Sequence, residues 1–310
     1  MVVTLQQLRY LCEIADCGLN LSRAAEQLHV SQPGISKIVK SLEMELGVEI
    51  LVRRGNRIVE LTDGGREVLA VARKIVSDAR ELKEMAADRL SRTSGVLRIA
   101  TTHLQARYAL LEIIRKFASR YPDVDLHLTH GRTQEIIDLV SAGQAEIGIS
   151  AIPASMPANV AALDAYTIER CVIAPAGHSL LALKKSTIRD LARYPLIMYD
   201  ETNNAGAITQ REYRRHGLRP RIAMKATDVN VIKAYVAAGL GIAVVQRMAL
   251  EPDRDRGIRV VANTHVFPAS MTSMIFRRGQ HLRGYLYDLI RMVSPVWGKE
   301  KVNEAVRGPG

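Results

Sequence analysis

The stretch LSRAAEQLHVSQPGISKIVKSLEMEL, residues 21–46, reads as two short helices joined by a tight turn. Leu21, Ala24, Ala25 and Leu28 recur at helical spacing, and the two alanines let a second helix approach closely. The turn falls at residues 29–31. Ser31 can cap the free amides of the next helix, and Pro33 is tolerated in the first turn, where its missing N–H has no partner to lose. Ile35, Val39, Leu42 and Leu46 then share one face, which predicts a core-facing side. Gln32, Ser36, Lys37 and Lys40 are left outward, a polar and cationic set able to meet phosphates and base edges in a major groove. The pattern predicts a DNA-binding helix-turn-helix, although a hairpin inside an all-helical domain would carry the same apolar stripe.

The segment that follows favours the first reading. Residues 50–61, ILVRRGNRIVEL, hold two short apolar runs around Arg53, Arg54, Gly55, Asn56 and Arg57, and Gly beside Asn is a hairpin signal. Three arginines on the turn of a hairpin next to a recognition helix would make a wing that grips the phosphate backbone. The plainer alternative is a solvated basic turn. Upstream, residues 5–16 predict a first helix with Leu5, Leu8, Leu11 or Cys12, and Ala15 inward.

Thr62 opens a much longer helix. From Val68 the apolar positions Val68, Ala72, Ile75, Ala79, Leu82, Ala86 and Leu90 step by threes and fours, a heptad seam that calls for a partner helix. A helix of about thirty residues exceeds the usual length in a compact domain, which favours dimerisation over packing within one domain. After the polar break at residues 91–95 the rhythm changes to strands alternating with helices: strands at 96–100, 125–129 and 145–150, with helices at 105–119 and 133–142. A second set spans 170–174 to 241–245. Two α/β units in series, each expected to hold a mostly parallel sheet, predict two lobes with a cleft between them. Only the last dozen or so residues look dispensable.

The 310 residues, 47% hydrophobic, suffice for two or three domains. The run of eighteen apolar residues needed to cross a membrane is missing, and the start has neither the charged nor the apolar region of a signal peptide, so a cytoplasmic protein without a membrane partner is expected. Cys12, Cys17 and Cys171 include no CxxC pair, which argues against a disulfide framework or a metal site; Cys171, in an apolar run, reads as a buried, inert thiol. The net charge of +11 invites a nucleic-acid reading, yet residues 1–92 carry 14 Lys/Arg against 13 Asp/Glu, leaving 29 against 19 for the rest. The basic groups of the DNA-binding unit are therefore local, and the positive excess lies where it would attract an anionic ligand.

A ligand site is expected where Thr101 and Thr102 follow a strand and precede a helix whose first turn holds Gln105, because hydroxyls and free amides there suit an anion. The same residues would also serve as plain helix caps. An α/β enzyme with an amino-terminal DNA-binding regulatory domain is the main alternative, and an extracytoplasmic solute-binding protein shares the two-lobed architecture. Against catalysis, the chain has no GxSxG, P-loop or HExxH, Gly239 and Gly241 follow a helix instead of a strand, and the histidines are scattered. No catalytic residue, metal ligand or cofactor is assigned.

Several motifs together resemble LysR-type transcriptional regulators: LQQLRY at 5–10, the Ala24–Ala25 pair, SQPGISK at 31–37, LEMELG at 42–47 and LTDGG at 61–65. TTH at 101–103, QARYAL at 105–110, ATD at 226–228, VIK at 231–233 and GLG at 239–241 resemble that family's CysB-like branch, so the likeness covers nearly the whole chain. It implies a winged helix-turn-helix over residues 1–61, a linker and dimerisation helix over 62–91, and an effector-binding domain over 92–310 of the two-lobed periplasmic-binding-protein kind. Lobe I would comprise about 95–165 and 267–298, and lobe II about 166–266, the chain crossing over and returning. Ser31, Gln32, Pro33, Ser36, Lys37, Lys40, Arg53, Arg54 and Arg57 are the implied DNA contacts, while Ile38 departs from a polar position. In that branch a sulfate-like anion is held between the lobes. Thr102 and Gln105 match its binding pattern, Leu104 stands where a second threonine is usual, Ala151 replaces a hydroxyl residue, and Asn204 or Asn203 takes the second-lobe position, with Thr101 and Thr227 beside them. The lost hydroxyls imply a larger anion with an apolar body: a sulfonate, sulfate ester or carboxylate. The implied partners are promoter DNA, the effector, further copies in a dimer of dimers, and RNA polymerase.

Overall fold

The computed structural model describes residues 3–54, 57–90, 93–153, 155–200, 204–262 and 266–307, with the side chains of residues 57, 84, 87–90 and 204 set aside. Three helices begin it: α1 (Leu5–Asp16), α2 (Leu21–Gln27) and α3 (Gln32–Leu46). Each starts on a side-chain cap, from Thr4, Asn20 and Ser31 respectively, and α3 ends at Gly47 in the left-handed conformation (φ 65°) that glycine adopts without strain. A two-stranded antiparallel hairpin follows, β1 (Leu51–Arg54) with β2 (Arg57–Leu61); the expected tip, Gly55 and Asn56, lies outside the described residues. The long helix α4 (Asp63–Leu90) then leaves the domain. Its entry is tight, because a side chain at Gly65 would stand 2.2 Å from the Ile50 carbonyl oxygen.

Leu8, Leu11, Ile14, Ala24, Ala25, Ile35, Val39 and Leu42 form the core of this unit, and Leu69 and Ala72 of α4 complete it. The inner face of α1 is wider than expected, since α2, α3 and α4 all touch it; Ile14 is fully buried, while Leu5 stays exposed. The expected seam of α4 divides. Val68, Ala72 and Val76 pack on the helix's own domain, whereas Val71, Ile75, Leu82 and Met85 form the exposed apolar stripe.

Lobe I begins with β3 (Gly95–Thr101), a π-helical turn (Gln105–Ala109), α5 (Leu111–Arg120), β4 (Val124–His130), α6 (Thr133–Ser141), β5 (Ile147–Ser150) and β6 (Val160–Ile168). The chain crosses into lobe II with β7 (Arg170–Pro175), α7 (Ile188–Leu191), β8 (Leu196–Tyr199), α8 (Asn204–Arg215), β9 (Ile222–Ala226), α9 (Val229–Ala237), β10 (Ile242–Gln246) and β11 (Ile258–Val260). It returns with β12 (Ser270–Arg277), α10 (Gly284–Val293) and α11 (Lys299–Arg307).

The sheet orders are β4-β3-β5-β12-β6 and β11-β7-β10-β8-β9. Both are mixed: β3 pairs in parallel with β4 and β5, but β12 runs antiparallel to β5 and β6, and β7 antiparallel to β10 and β11. The strands that carry the chain between lobes supply these antiparallel pairs, which corrects the expectation of mostly parallel sheets. The carboxy-terminal end is not dispensable either. Val302 and Val306 of α11 are buried in the lobe I core with Leu163, Leu289 and Val293, and α11 packs on β6.

Candidate functional site

On the amino-terminal unit, Gln32, Pro33, Lys37 and Lys40 are exposed along the first turns of α3, with Ser36 half-buried among them. Ser31 is also exposed, and its hydroxyl accepts from Gly34 N at 3.3 Å. Ile38, where a polar residue was expected, packs against the domain core. The wing is fastened to α3. Glu43 accepts from Ile50 N (2.9 Å) and Leu51 N (3.0 Å), and it stands 3.7 Å from Arg53, whose Nη1 donates to Ser36 Oγ at 3.2 Å. Arg53 thus holds a residue of the exposed α3 face and is not directed wholly at solvent; Arg54 is exposed, and the Arg57 side chain lies outside the described residues.

Between the lobes lies a cavity of about 390 Å³. Thr102, Leu104, Gln105, Thr133, Ser150 and Ala151 wall it from lobe I. Thr101 does not: it is fully buried, and its hydroxyl donates to Ile149 O at 2.8 Å inside the sheet. Thr102 Oγ1 accepts from Gln105 N at 3.3 Å, which leaves its own proton for another acceptor. Gln105 is buried, with Oε1 accepting from Tyr166 at 3.1 Å and Nε2 beside Thr272 at 3.5 Å. The continuous helix expected from Gln105 is interrupted. A π-helical turn runs to Ala109 before α5 starts, so the first turn has only a short dipole behind it.

That turn docks on the other lobe. Leu104 and Tyr108 pack against the lobe II core, Tyr108 donates to Asn230 at 2.9 Å, and Arg107 pairs with Glu251 at 3.3 Å. Below it, buried Lys233 donates to Ala249 O (2.8 Å) and Asp255 (3.0 Å). At the mouth, His103 lies 3.7 Å from Asp228 across the cleft and edge-on to His130.

From lobe II and the crossing strands the wall is Arg170, Tyr199, Thr227, Asp228, Gln246 and Ser270. Tyr199 donates to Gln246 at 2.8 Å, and burial pushes its hydroxyl well above the usual phenol range. Thr227 lines this wall; Asn203 and the Asn204 side chain lie outside the described residues. Sequence reasoning missed Arg170, although a charge opening the apolar run 170–175 was a visible signal. Its side chain is 8% exposed and donates to Pro268 O and Ser270 Oγ, both on the returning segment, while its Nε is buried without a partner. Burial first, and the like charge of Arg211 second, lower its pKa. No group of metal-ligating side chains occurs among the described residues.

Two family models match: "Bacterial regulatory helix-turn-helix protein, lysR family" over residues 5–66, and "LysR substrate binding domain" over 91–297. The chain is 38% identical to the HTH-type transcriptional regulator SsuR of Burkholderia cenocepacia, covering 94% of both proteins. It is 36% identical to the HTH-type transcriptional regulator CysB of the same organism, over 99% of this chain and 98% of that one. Among solved structures, the cofactor-binding domain of the Cbl transcriptional regulator superposes with a TM-score of 0.66 at 32% identity, covering 70% of this chain and 95% of that one.

Proposed function

The chain belongs to the LysR family of bacterial transcriptional regulators, and from that premise we propose a regulator that reads promoter DNA through α3 and the β1–β2 wing and answers to a small organic anion held between its lobes. The division proposed is 1–61 for DNA binding, 62–91 for the linker and dimerisation helix, and 92–310 for the effector. One observation carries the effector reading: a cavity of about 390 Å³, within the size range of small-molecule sites, is walled by both lobes and lined by hydroxyls, two amides (Gln105, Gln246), two guanidiniums (Arg132, Arg170) and two carboxylates (Glu135, Asp228). A ligand touching both walls favours one lobe orientation, and that difference in affinity is what can reach the DNA-binding unit.

Thr102 and Gln105 are the proposed hydrogen-bonding groups on lobe I and Thr227 with Asn203 or Asn204 on lobe II. Leu104 and Ala151 leave apolar wall for an organic substituent, so the proposed class is a sulfur-containing anion or carboxylate larger than inorganic sulfate. Ser31, Gln32, Pro33, Ser36 and Lys37 are the proposed groove contacts, and Lys40, Arg53, Arg54 and Arg57 the phosphate contacts. A dimer of dimers in the cytoplasm, meeting RNA polymerase at the promoter, completes the reading; the relatives' role as regulators goes with a non-catalytic chain. Calorimetry on the full chain with ethanesulfonate, propionate and inorganic sulfate tests the effector class. An organic anion should bind most tightly, and sulfate outbinding both would overturn the argument from Leu104 and Ala151.

A further inference from the structure

Arg170 occupies a place in the fold where a charge is hard to justify without a ligand. It begins β7, two residues after β6 ends in lobe I, and so stands on the first segment crossing between lobes. Among the described residues its guanidinium donates to the neutral acceptors Pro268 O and Ser270 Oγ alone, which belong to the second crossing segment. Among the described residues no carboxylate forms an ion pair with it, the like charge of Arg211 acts against it, and its Nε is buried without a hydrogen bond. It is nevertheless 8% exposed and forms part of the cavity wall. A buried charge left uncompensated is costly, and protein folds ordinarily pair it.

We propose that Arg170 is the charge receptor of the cleft: the anionic group of the effector, a sulfonate or carboxylate on an organic body, completes the ion pair that the protein leaves open. This rests on the effector reading above and deepens it, since Thr102 and Gln105 then supply neutral hydrogen bonds and Arg170 the charge. A guanidinium presents its donors as a planar fork, which suits two oxygens of one oxyanion and is worth more in a water-poor wall than on the surface. Because the same side chain ties together both crossing segments, the effector's charge is read at the hinge itself. Ligand charge and lobe angle are thus linked through one residue.

The test uses the full-length protein, its Arg170→Gln variant, which removes charge and fork, and Arg170→Lys, which keeps the charge alone. Circular dichroism first establishes that each variant is folded; if the glutamine variant is not, the lysine variant carries the comparison. Ethanesulfonate, propionate and inorganic sulfate are titrated into each by calorimetry and by thermal unfolding. The expected result is that ethanesulfonate or propionate binds the parent, binds Arg170→Gln roughly 10- to 100-fold more weakly, and binds Arg170→Lys several-fold more weakly. Anion-dependent thermal stabilisation should shrink in the same order. Equal affinity of a folded variant and the parent overturns the assignment of Arg170 while leaving the effector reading in place. A parent that neither binds nor is stabilised by any of the three anions overturns both.

Discussion

At the scale of single residues the proposed DNA-binding face divides into groups that hold and groups that reach. Lys40 and Arg54 are exposed and free to meet phosphates, so replacing either with alanine should weaken binding to all sequences alike and reduce the salt slope by about one unit per lost phosphate contact. A fluorescence-anisotropy salt series checks this, and an unchanged slope in both variants would remove them from the interface. Arg53 should behave differently, because it steadies Ser36 at 3.2 Å; its alanine variant should relax discrimination among sites as well as weaken affinity. The thiols give a second prediction. Burial pushes Cys12 and Cys171 from 9.0 up to about 11, so in the folded protein they stay protonated where the unfolded chain ionises. Their contribution to stability is full below about pH 9 and is lost as the pH rises towards 11, visible as a falling denaturant midpoint over that window. At pH 8 a thiol reagent should leave both silent until denaturant is added. The burial of Cys171 was legible from its apolar neighbours; the role of Arg170 was not, because nothing in a linear run shows that residues 268 and 270 return beside it.

Among the elements, those built on local periodicity were the most legible: α2, α3 and the hairpin follow from spacing, caps and turn residues. Elements whose partners lie far along the chain were not. β12 joins β5 and β6 after an excursion of about a hundred residues, and the short amphipathic α11 shows its purpose only when β6 is beneath it. Removing residues 299–310 should therefore cost lobe I a few kcal/mol, since Val302 and Val306 each contribute roughly 1.5–3 kcal/mol by burial, offset in part by the ordering of the helix. Thermal unfolding of the truncated chain checks it, and an unaltered transition would make α11 an ornament. In α4 the expected seam divides: Val68 and Ala72 turn to the helix's own domain, and the exposed set is Val71, Ile75, Leu82 and Met85, which shares Ile75 and Leu82 with the heptad pattern. Ile75→Asp with Leu82→Asp should yield monomers by sedimentation, because a partner helix cannot bury unpaired charges there. Assembly as in the parent would place the dimer contact elsewhere.

For the whole molecule the decisive feature is that α4 belongs to both ends of the protein. Its first half completes the DNA-binding core through Leu69 and Ala72, and its second half is gripped by lobe I. Buried Arg277 at the end of β12 donates to Asp78 at 2.6 Å and to Glu81, Glu81 also accepts from His281 N, and Ser77 donates to Gly143 O at 3.2 Å. Replacing Asp78 and Glu81 with alanine should leave Arg277 unpaired and lower stability by about 2–4 kcal/mol, moderated because Asp78 is half in solvent. The same double variant should blunt the effect of a bound effector on DNA affinity; an undiminished effect, measured by DNA binding with and without ethanesulfonate, would route the coupling elsewhere. The grip also sets a mechanical ratio. The grip lies at residues 77–81, so the arm from it to Asp63 is about fifteen residues, or roughly 22 Å, and a tilt of about 9° at the grip would swing Asp63 through roughly 3.5 Å. That is close to the spacing of about 3.4 Å between successive phosphates on one strand. A tilt passed from the cleft to the grip would thereby be worth one step along the DNA, and the distance from grip to wing sets the gearing.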